Sequence, residues 1–308
     1  GVTTGGPEVL HQLISELRDV GRDAFICYYP FNRKFEIPPE YRKYNIAQSV
    51  IEDECENLVI LPESGTKISR KIRHANVAIW WLSIDNYYML PKSLSFLSGS
   101  LQQILGALLV RRSLRSLRPY RHFAQSHYAI EYLRQRGVEA DFLGDYLSED
   151  HMALSDKAEK ERYANTIVYN PKKGAQTTSE LVAQCPEWKF IPIAGMTASE
   201  VNALLASAML YIDFGHHPGR DRLPREAALA GCCVITGKKG AAGNDVDINL
   251  RKEYKIDETA PNFIEKFRSA ASAIFLNFSA ESAKFGNYRH SISVEKSKFR
   301  SAVAKLFV

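Results

Sequence analysis

The sequence predicts an α/β protein of two doubly wound lobes in tandem. Two observations carry that expectation. Short β-rich runs alternate with helical periodicity through both halves of the chain, and a polar, charged stretch at residues 148–162 interrupts the alternation midway. Strands separated by helical crossovers pair in parallel, and parallel sheets are covered on both faces. A chain of 308 residues is long enough for two such cores.

In the first half, Leu10, Leu13, Ile14 and Leu17 recur on one face of a helix expected at residues 7–20. β-rich runs follow at 23–29, 57–61, 76–81, 122–125 and 140–143, with helices expected at 67–74, 101–118 and 128–136. After the charged stretch the alternation restarts. Strands are expected at 166–169, 189–193, 209–214 and 233–236, and helices at 179–185, 198–206, 224–230, 261–276 and 293–306. The resulting division is a first domain over 1–150, a second over 151–285, and a terminal helical segment, 286–308, packing back on the first domain. A lobe of this kind normally opens with a strand feeding a glycine turn, so a strand is expected before Gly1.

Hydrophobic residues make up 45% and charged residues 24% of the chain, the balance of a globular enzyme rather than a disordered or fibrous protein. No stretch approaches the roughly 18 apolar residues of a membrane span, and no secretory leader is evident. The five cysteines form neither a CxxC pair nor a metal spacing, and Cys232 and Cys233 lie in an apolar run. Reduced core cysteines and a cytoplasmic location are expected. The net charge of +5 suits phosphate-bearing ligands or an anionic membrane surface. Nucleic acid is not expected, because the basic residues cluster instead of forming a stripe with interleaved aromatics.

Three segments bring together residues suited to anion chemistry. At Gly5-Gly6-Pro7, glycines before a helix allow close backbone approach, and free N–H groups at a helix start attract anions; a plain turn with Pro7 in the first helical turn reads equally well. At residues 166–174, TIVYNPKKG, a β run ends in Lys172, Lys173 and Gly174, where ligands bind in open α/β sheets; two lysines in a turn read more simply as solvated. Residues 211–236, YIDFGHHPGRDRLPREAALAGCCVIT, are the richest. A strand delivers a glycine loop with His216 and His217, then Arg220, Asp221, Arg222 and Arg225 beside a helix start. Guanidinium forks and orphan N–H groups there would favour an anion, and Glu226 could accept from ribose hydroxyls. The plainer alternative pairs Arg222 and Arg225 with Asp221 and Glu226. Without a third ligand at suitable spacing, His216 and His217 predict no metal site.

The run LPREAALAGCCVIT resembles the Leu-Pro, Glu-Ala, glycine and apolar-strand segment of retaining glycosyltransferases of the GT-B type, the "glycosyl transferases group 1" class. TIVYNPKKG resembles the strand and Lys-Gly turn opening their donor lobe. TTGGPEVLHQLISELRDVGRDAFICY and HFAQSHYAIEYLRQRGVEADFLGD resemble the opening and close of their acceptor lobe. The resemblance implies two Rossmann-like lobes facing a cleft, with Glu226 on the ribose, Lys173 on phosphate, and Gly5 and Gly6 beside the donor phosphates. His217, Arg220 and Arg222 complete the expected donor set. The chain departs from the family where Pro218 replaces a carboxylate, and where NVAIWWLSIDNYY offers Ser83 and Asp85 in place of a histidine.

The function so implied is sugar transfer from a nucleotide-sugar co-substrate, without cofactor or metal, to a glycan or lipid-linked acceptor in surface polysaccharide or lipopolysaccharide synthesis. Loss of a nucleoside diphosphate needs fixed cations and N–H groups. An inverting reaction also needs a base, for which Asp85 and Glu63 are the candidates, although each reads more simply as an ordinary surface carboxylate. Residues 101–121 combine leucines with Arg111, Arg112, Arg115, Arg118 and Arg121, a pattern suited to peripheral contact with the inner face of a cytoplasmic membrane or to an ordinary core-facing helix. Trp80, Trp81, Tyr87 and Tyr88 nearby in sequence favour the membrane reading. A sugar-nucleotide epimerase and a catalytically silent binding subunit are the alternative functions.

Overall fold

The computed structural model describes residues 5–31, 33, 35–88, 111–148 and 162–307. The chain divides into two compact units, Gly1–Tyr146 with Lys296–Val308, and Leu147–Glu295. The terminal segment is therefore shared. Helix α10 (Gly286–Ser293) belongs to the second unit, and all but the first residue of α11 (Glu295–Phe307) belongs to the first.

The first unit is built on four parallel strands in the order β1 (Leu58–Pro62), β2 (Asn76–Trp81), β3 (Arg121–Ala124) and β4 (Asp141–Phe142). The period-2 alternation of β2 decides how its faces are covered. Ala78 and Trp80 pack with Val9, Leu13 and Leu17 of α1 (Gly5–Asp19) and with Phe299 and Val303 of α11. Val77, Ile79 and Trp81 pack on the other face with Ala129 and Leu133 of α4 (His127–Arg134). Burying two indoles requires partners for their N–H groups. Trp80 donates to the Leu143 carbonyl at 2.9 Å, and Trp81 donates to His122 Nδ1 at 3.1 Å.

Several expected elements differ in this unit. Residues 23–29 make no strand. Only Ile26 forms a bridge, to Gln48, because Phe25 and Tyr29 stay exposed and give the run no buried face. Residues Glu63–Lys71 form a 3-10 helix in place of an α-helix at 67–74. Gly5 and Gly6 are already helical, within α1, rather than in a turn before it. Most of the stretch at 101–118 lies outside the described residues; its described part contributes α3 (Leu114–Leu117), whose N-cap Ser113 accepts from the Ser116 N–H. Trp80, Trp81 and Tyr87 are fully buried, so these three aromatics cannot contact a membrane surface. Among the described residues, no helix is long and apolar enough to cross a membrane.

The second unit also has four parallel strands, in the order β6–β5–β7–β8. These are β5 (Tyr163–Tyr169), β6 (Lys189–Pro192), β7 (Ala208–Asp213) and β8 (Cys233–Thr236). Ile167, Val168, Leu210, Tyr211, Cys233, Val234 and Ile235 are all fully buried, as expected of strands covered on both faces. Helices α5 (Ala175–Gln184), α6 (Ala198–Ser207) and α7 (Arg222–Leu229) make the crossovers, and α8 (Phe263–Leu276) supplies Phe263, Phe267 and Ala271 to the core. A capping box fixes the start of α6, where Thr197 and Glu200 satisfy each other's backbone N–H groups. Helix α5 starts four residues before its expected position because Gly174, in the left-handed region at φ 58°, turns the chain straight off β5 into the helix. Cys232 and Cys233 are free and buried, and burial pushes the Cys232 thiol up to about 11, so it packs as an inert side chain donating to the Leu205 carbonyl.

Candidate functional site

The strand order of the second unit places its site. From β5 the chain crosses outward to β6, then returns over β5 to β7 and continues to β8. The direction of winding therefore reverses between β5 and β7, and ligands of open α/β sheets bind at the carboxyl ends of the two strands flanking such a reversal. The turn after β5 is Asn170–Gly174, and the loop after β7 is Phe214–Asp221. These belong to two of the three segments that the sequence marked for anion chemistry.

The loop after β7 is organised by a buried carboxylate. Asp213 accepts from the Gly215 N–H at 2.9 Å and from the Tyr211 hydroxyl at 3.2 Å. Burial would raise its pKa, but the adjacent His217 ring, with the Gly215 N–H and Lys173, holds the carboxyl below its ordinary value. His217 is wholly buried, with Nε2 at 3.4 Å from Asp213 Oδ1 and Nδ1 at 3.0 Å from Asp221 Oδ2, though neither nitrogen has hydrogen-bond geometry. Atoms of Asp213, His217 and Asp221 approach within 4.8 Å of one another, a spacing that a divalent cation can use. The two carboxylates address opposite nitrogens of the ring, however, and the Lys173 ammonium already sits on Asp221. The arrangement is that of an imidazole between two acids, compensated by a lysine.

Close backbone packing fixes the turns around this loop. A Cβ at Gly174 would lie 2.6 Å from the Phe214 carbonyl carbon, so the turn after β5 can back onto the loop only with glycine there. Gly240, at φ 65°, plays the same part in the turn after β8, where a Cβ would collide with the His217 carbonyl oxygen. The Ala241 N–H donates to that oxygen at 2.8 Å, and the His217 N–H to the Lys239 carbonyl at 3.3 Å. The second turn, TGKKG, repeats the Lys-Lys-Gly of the first. That repeat was legible in the sequence, although only its first copy was read there as functional.

The arginines are placed less simply than their sequence clustering implies. Arg225 is buried and pairs with Glu295 at 2.8 Å, while its Nη2 donates to the Arg220 carbonyl and its Nε to the Asp221 carbonyl. Arg220 pairs with the other oxygen of Glu295. Arg222 lies 3.3 Å from Glu226, one turn along α7. Arg225 is thus a brace for the loop, and Glu295, 69 residues after Glu226 in the chain, carried no sequence signal of its own.

In the first unit, Gly6 packs so that an added Cβ would touch Leu82 at 3.6 Å, an ordinary contact. Glu63 is buried at the end of β1, and its Oε2 accepts from the Leu82 N–H at 3.0 Å. Burial pushes its carboxyl up to about 7 against the opposing effects of that hydrogen bond and of Arg111. Asp85 opens α2 (Ile84–Tyr88) and accepts from the Tyr128 hydroxyl at 3.1 Å. His11 was not foreseen. It stacks on Tyr41 with centroids 4.4 Å apart and bridges the Pro7 carbonyl and the Tyr28 hydroxyl.

No protein-family model matches this sequence, and no curated protein resembles it significantly in sequence. The fold does have solved counterparts. Anabaena Alr3699/HepE, solved in complex with UDP and glucose, is similar over 99% of this chain and 96% of its own, with a TM-score of 0.65 at 13% identity. A glycosyltransferase from Rickettsia africae is similar over 100% and 92%, with a TM-score of 0.56 at 12% identity. The trehalose 6-phosphate synthase of Burkholderia multivorans is similar over 83% and 71%, with a TM-score of 0.52 at 10% identity. The chain has the GT-B fold of these glycosyltransferases, two Rossmann-like lobes, in a strongly diverged sequence.

Proposed function

We propose that the protein is a glycosyltransferase that takes its sugar from a nucleoside-diphosphate donor bound by the second unit. The reversal of winding between β5 and β7 carries this reading, because it sets a Lys-Lys-Gly turn and a glycine loop side by side where such sheets bind ligands. The GT-B counterparts, one of them solved with UDP and glucose, support a uridine nucleotide as the first donor to test. Glu226, at 7% exposure in the first turns of α7, is the proposed ribose acceptor, with Arg222 orienting it. Lys173, His217 and Arg220 are the proposed surroundings of the diphosphate, and Gly5 and Gly6 the proposed close-approach backbone of the first unit.

In the reaction, the bond between the sugar anomeric carbon and the diphosphate oxygen breaks, and the leaving group keeps the electron pair. Fixed cations and N–H dipoles stabilise the charge that develops there. The acceptor hydroxyl supplies the new oxygen and loses its proton. Glu63, whose burial brings it to about 7, and Asp85 are the proposed bases. A glycan or lipid-linked acceptor, a role in surface polysaccharide synthesis and work at the inner face of the membrane complete the proposal; they rest on the family resemblance and on the basic stretch at 101–121, of which 101–110 lie outside the described residues. The test is a thermal-shift and nucleotide-release screen against sugar nucleotides, with Glu226→Ala and Arg220→Ala beside the parent. Stabilisation of the parent by a sugar nucleotide, lost in Glu226→Ala, is the expected outcome. A parent indifferent to every sugar nucleotide would refute the reading.

A further inference from the structure

The two Lys-Lys-Gly turns flank β7 from opposite sides, since β5 and β8 are its neighbours in the sheet. Neighbouring strands lie about 4.8 Å apart, which puts the turns on the order of 10 Å from each other. Both are locked to the loop between them through their glycines, one against Phe214 and one against His217.

Within each turn the two lysines have different employment, and the pattern repeats. The second lysine is tied to a carboxylate. Lys173 pairs with the half-buried Asp221, and Lys239 with the buried Glu258 at 2.9 Å. Each of these pairs holds its turn, and taking either lysine for a ligand would strand a sheltered carboxylate. The first lysine is exposed. Among the described residues, the ammonium groups of Lys172 and Lys238 enter no ion pair or hydrogen bond, and the Lys238 charge acts at longer range on Asp245 and Asp257. A lysine on its four-carbon stem is a mobile point charge, and an uncommitted one meets an incoming phosphate without first breaking a contact.

We propose that Lys172 and Lys238 form a two-sided clamp on the diphosphate of the donor, one from each flank of the loop after β7, while Lys173 and Lys239 hold the turns in place. This rests on the reading of the second unit as a nucleotide-sugar site. It shifts phosphate contact from Lys173, the lysine beside the first glycine, to the lysine before it. It also adds a residue from the turn after β8.

The experiment is calorimetric titration of UDP, UMP and uridine into the parent, Lys172→Met, Lys238→Met and the corresponding arginine variants, with melting temperatures recorded for each. Both methionine variants melt with the parent, because the replaced groups are exposed. Each weakens UDP by roughly threefold to tenfold, the range of one charged hydrogen bond in partial contact with water. Uridine binding is unchanged, and the arginine variants recover most of the UDP affinity. A parent that binds UDP as tightly as both methionine variants do overturns the clamp and leaves the donor site standing. A parent that binds none of UDP, GDP, dTDP or ADP overturns both.

Discussion

Replacing Glu63 by glutamine isolates the cost of a buried carboxylate at the end of β1. Its pKa rises from the ordinary glutamate value of 4.5 to about 7, principally through burial. The folded protein therefore binds the proton more tightly than the unfolded chain. The stability linked to this group is fully present below about pH 4.5, falls as the pH rises, and levels off above pH 7. Two proton affinities that far apart imply a cost of about 1 kcal/mol at pH 5 and about 3 kcal/mol at pH 8. Glutamine keeps an oxygen for the Leu82 N–H and carries no charge to desolvate. Thermal unfolding of parent and Glu63→Gln at pH 5, 6, 7 and 8 should show the variant gaining steadily on the parent. The gain between the extremes is about 2 kcal/mol, or roughly 4–8 °C for a unit of this size. Curves that stay parallel across the range would refute the reasoning, since they would mean that Glu63 titrates alike in the folded and unfolded states.

Other perturbations probe the second unit. Glu295→Ala strands two guanidinium groups, one of them buried, and should cost about 3–5 kcal/mol in urea unfolding; a loss under 1 kcal/mol would show that Arg225 is not held by this carboxylate. Gly240→Ala forces a side chain against the His217 carbonyl at a positive φ. It should weaken UDP binding, whereas Gly21→Ala, also at a positive φ but with open space around it, should cost about 1 kcal/mol of stability and leave UDP affinity unchanged. Lys239→Met removes the half-exposed cation beside the Glu258 carboxylate and should lower the melting temperature by a few degrees at most, measurable by differential scanning calorimetry.

Much of the architecture was legible because its signals are local. Residues 76–81 read as a strand from their apolar run alone, and β2 occupies Asn76–Trp81. The alternation through the second half located β5 to β8 to within a few residues, since fully buried parallel strands are written as short, unbroken apolar runs. Residues 23–29 misled for the complementary reason. Their alternation has no partner surface, and periodicity cannot report a missing neighbour. The same limit applied to Trp80 and Trp81, whose nearness in sequence to a basic stretch favoured membrane contact, whereas both are buried between the two faces of β2.

The candidate site was legible as segments and not as contacts. The glycine loop, the first Lys-Lys-Gly turn and the arginine cluster all fall beside the reversal of strand order. Their pairing does not follow from their spacing. Arg220 and Arg225 are claimed by Glu295, and Lys173 by Asp221, across separations in sequence that no local pattern encodes. The basic residues nearest the glycines turn out to be partly committed to the scaffold, which is why the repeat in the turn after β8 gains importance.

Hydrogen–deuterium exchange of the parent with and without UDP tests the location of the donor site most directly. The account predicts slowed exchange centred on three peptides in the second unit, covering residues 170–174, 214–226 and 237–241, with the interior of β7 unchanged because it is already protected by the sheet. Protection centred elsewhere, or none at saturating UDP, GDP, dTDP or ADP, would contradict it.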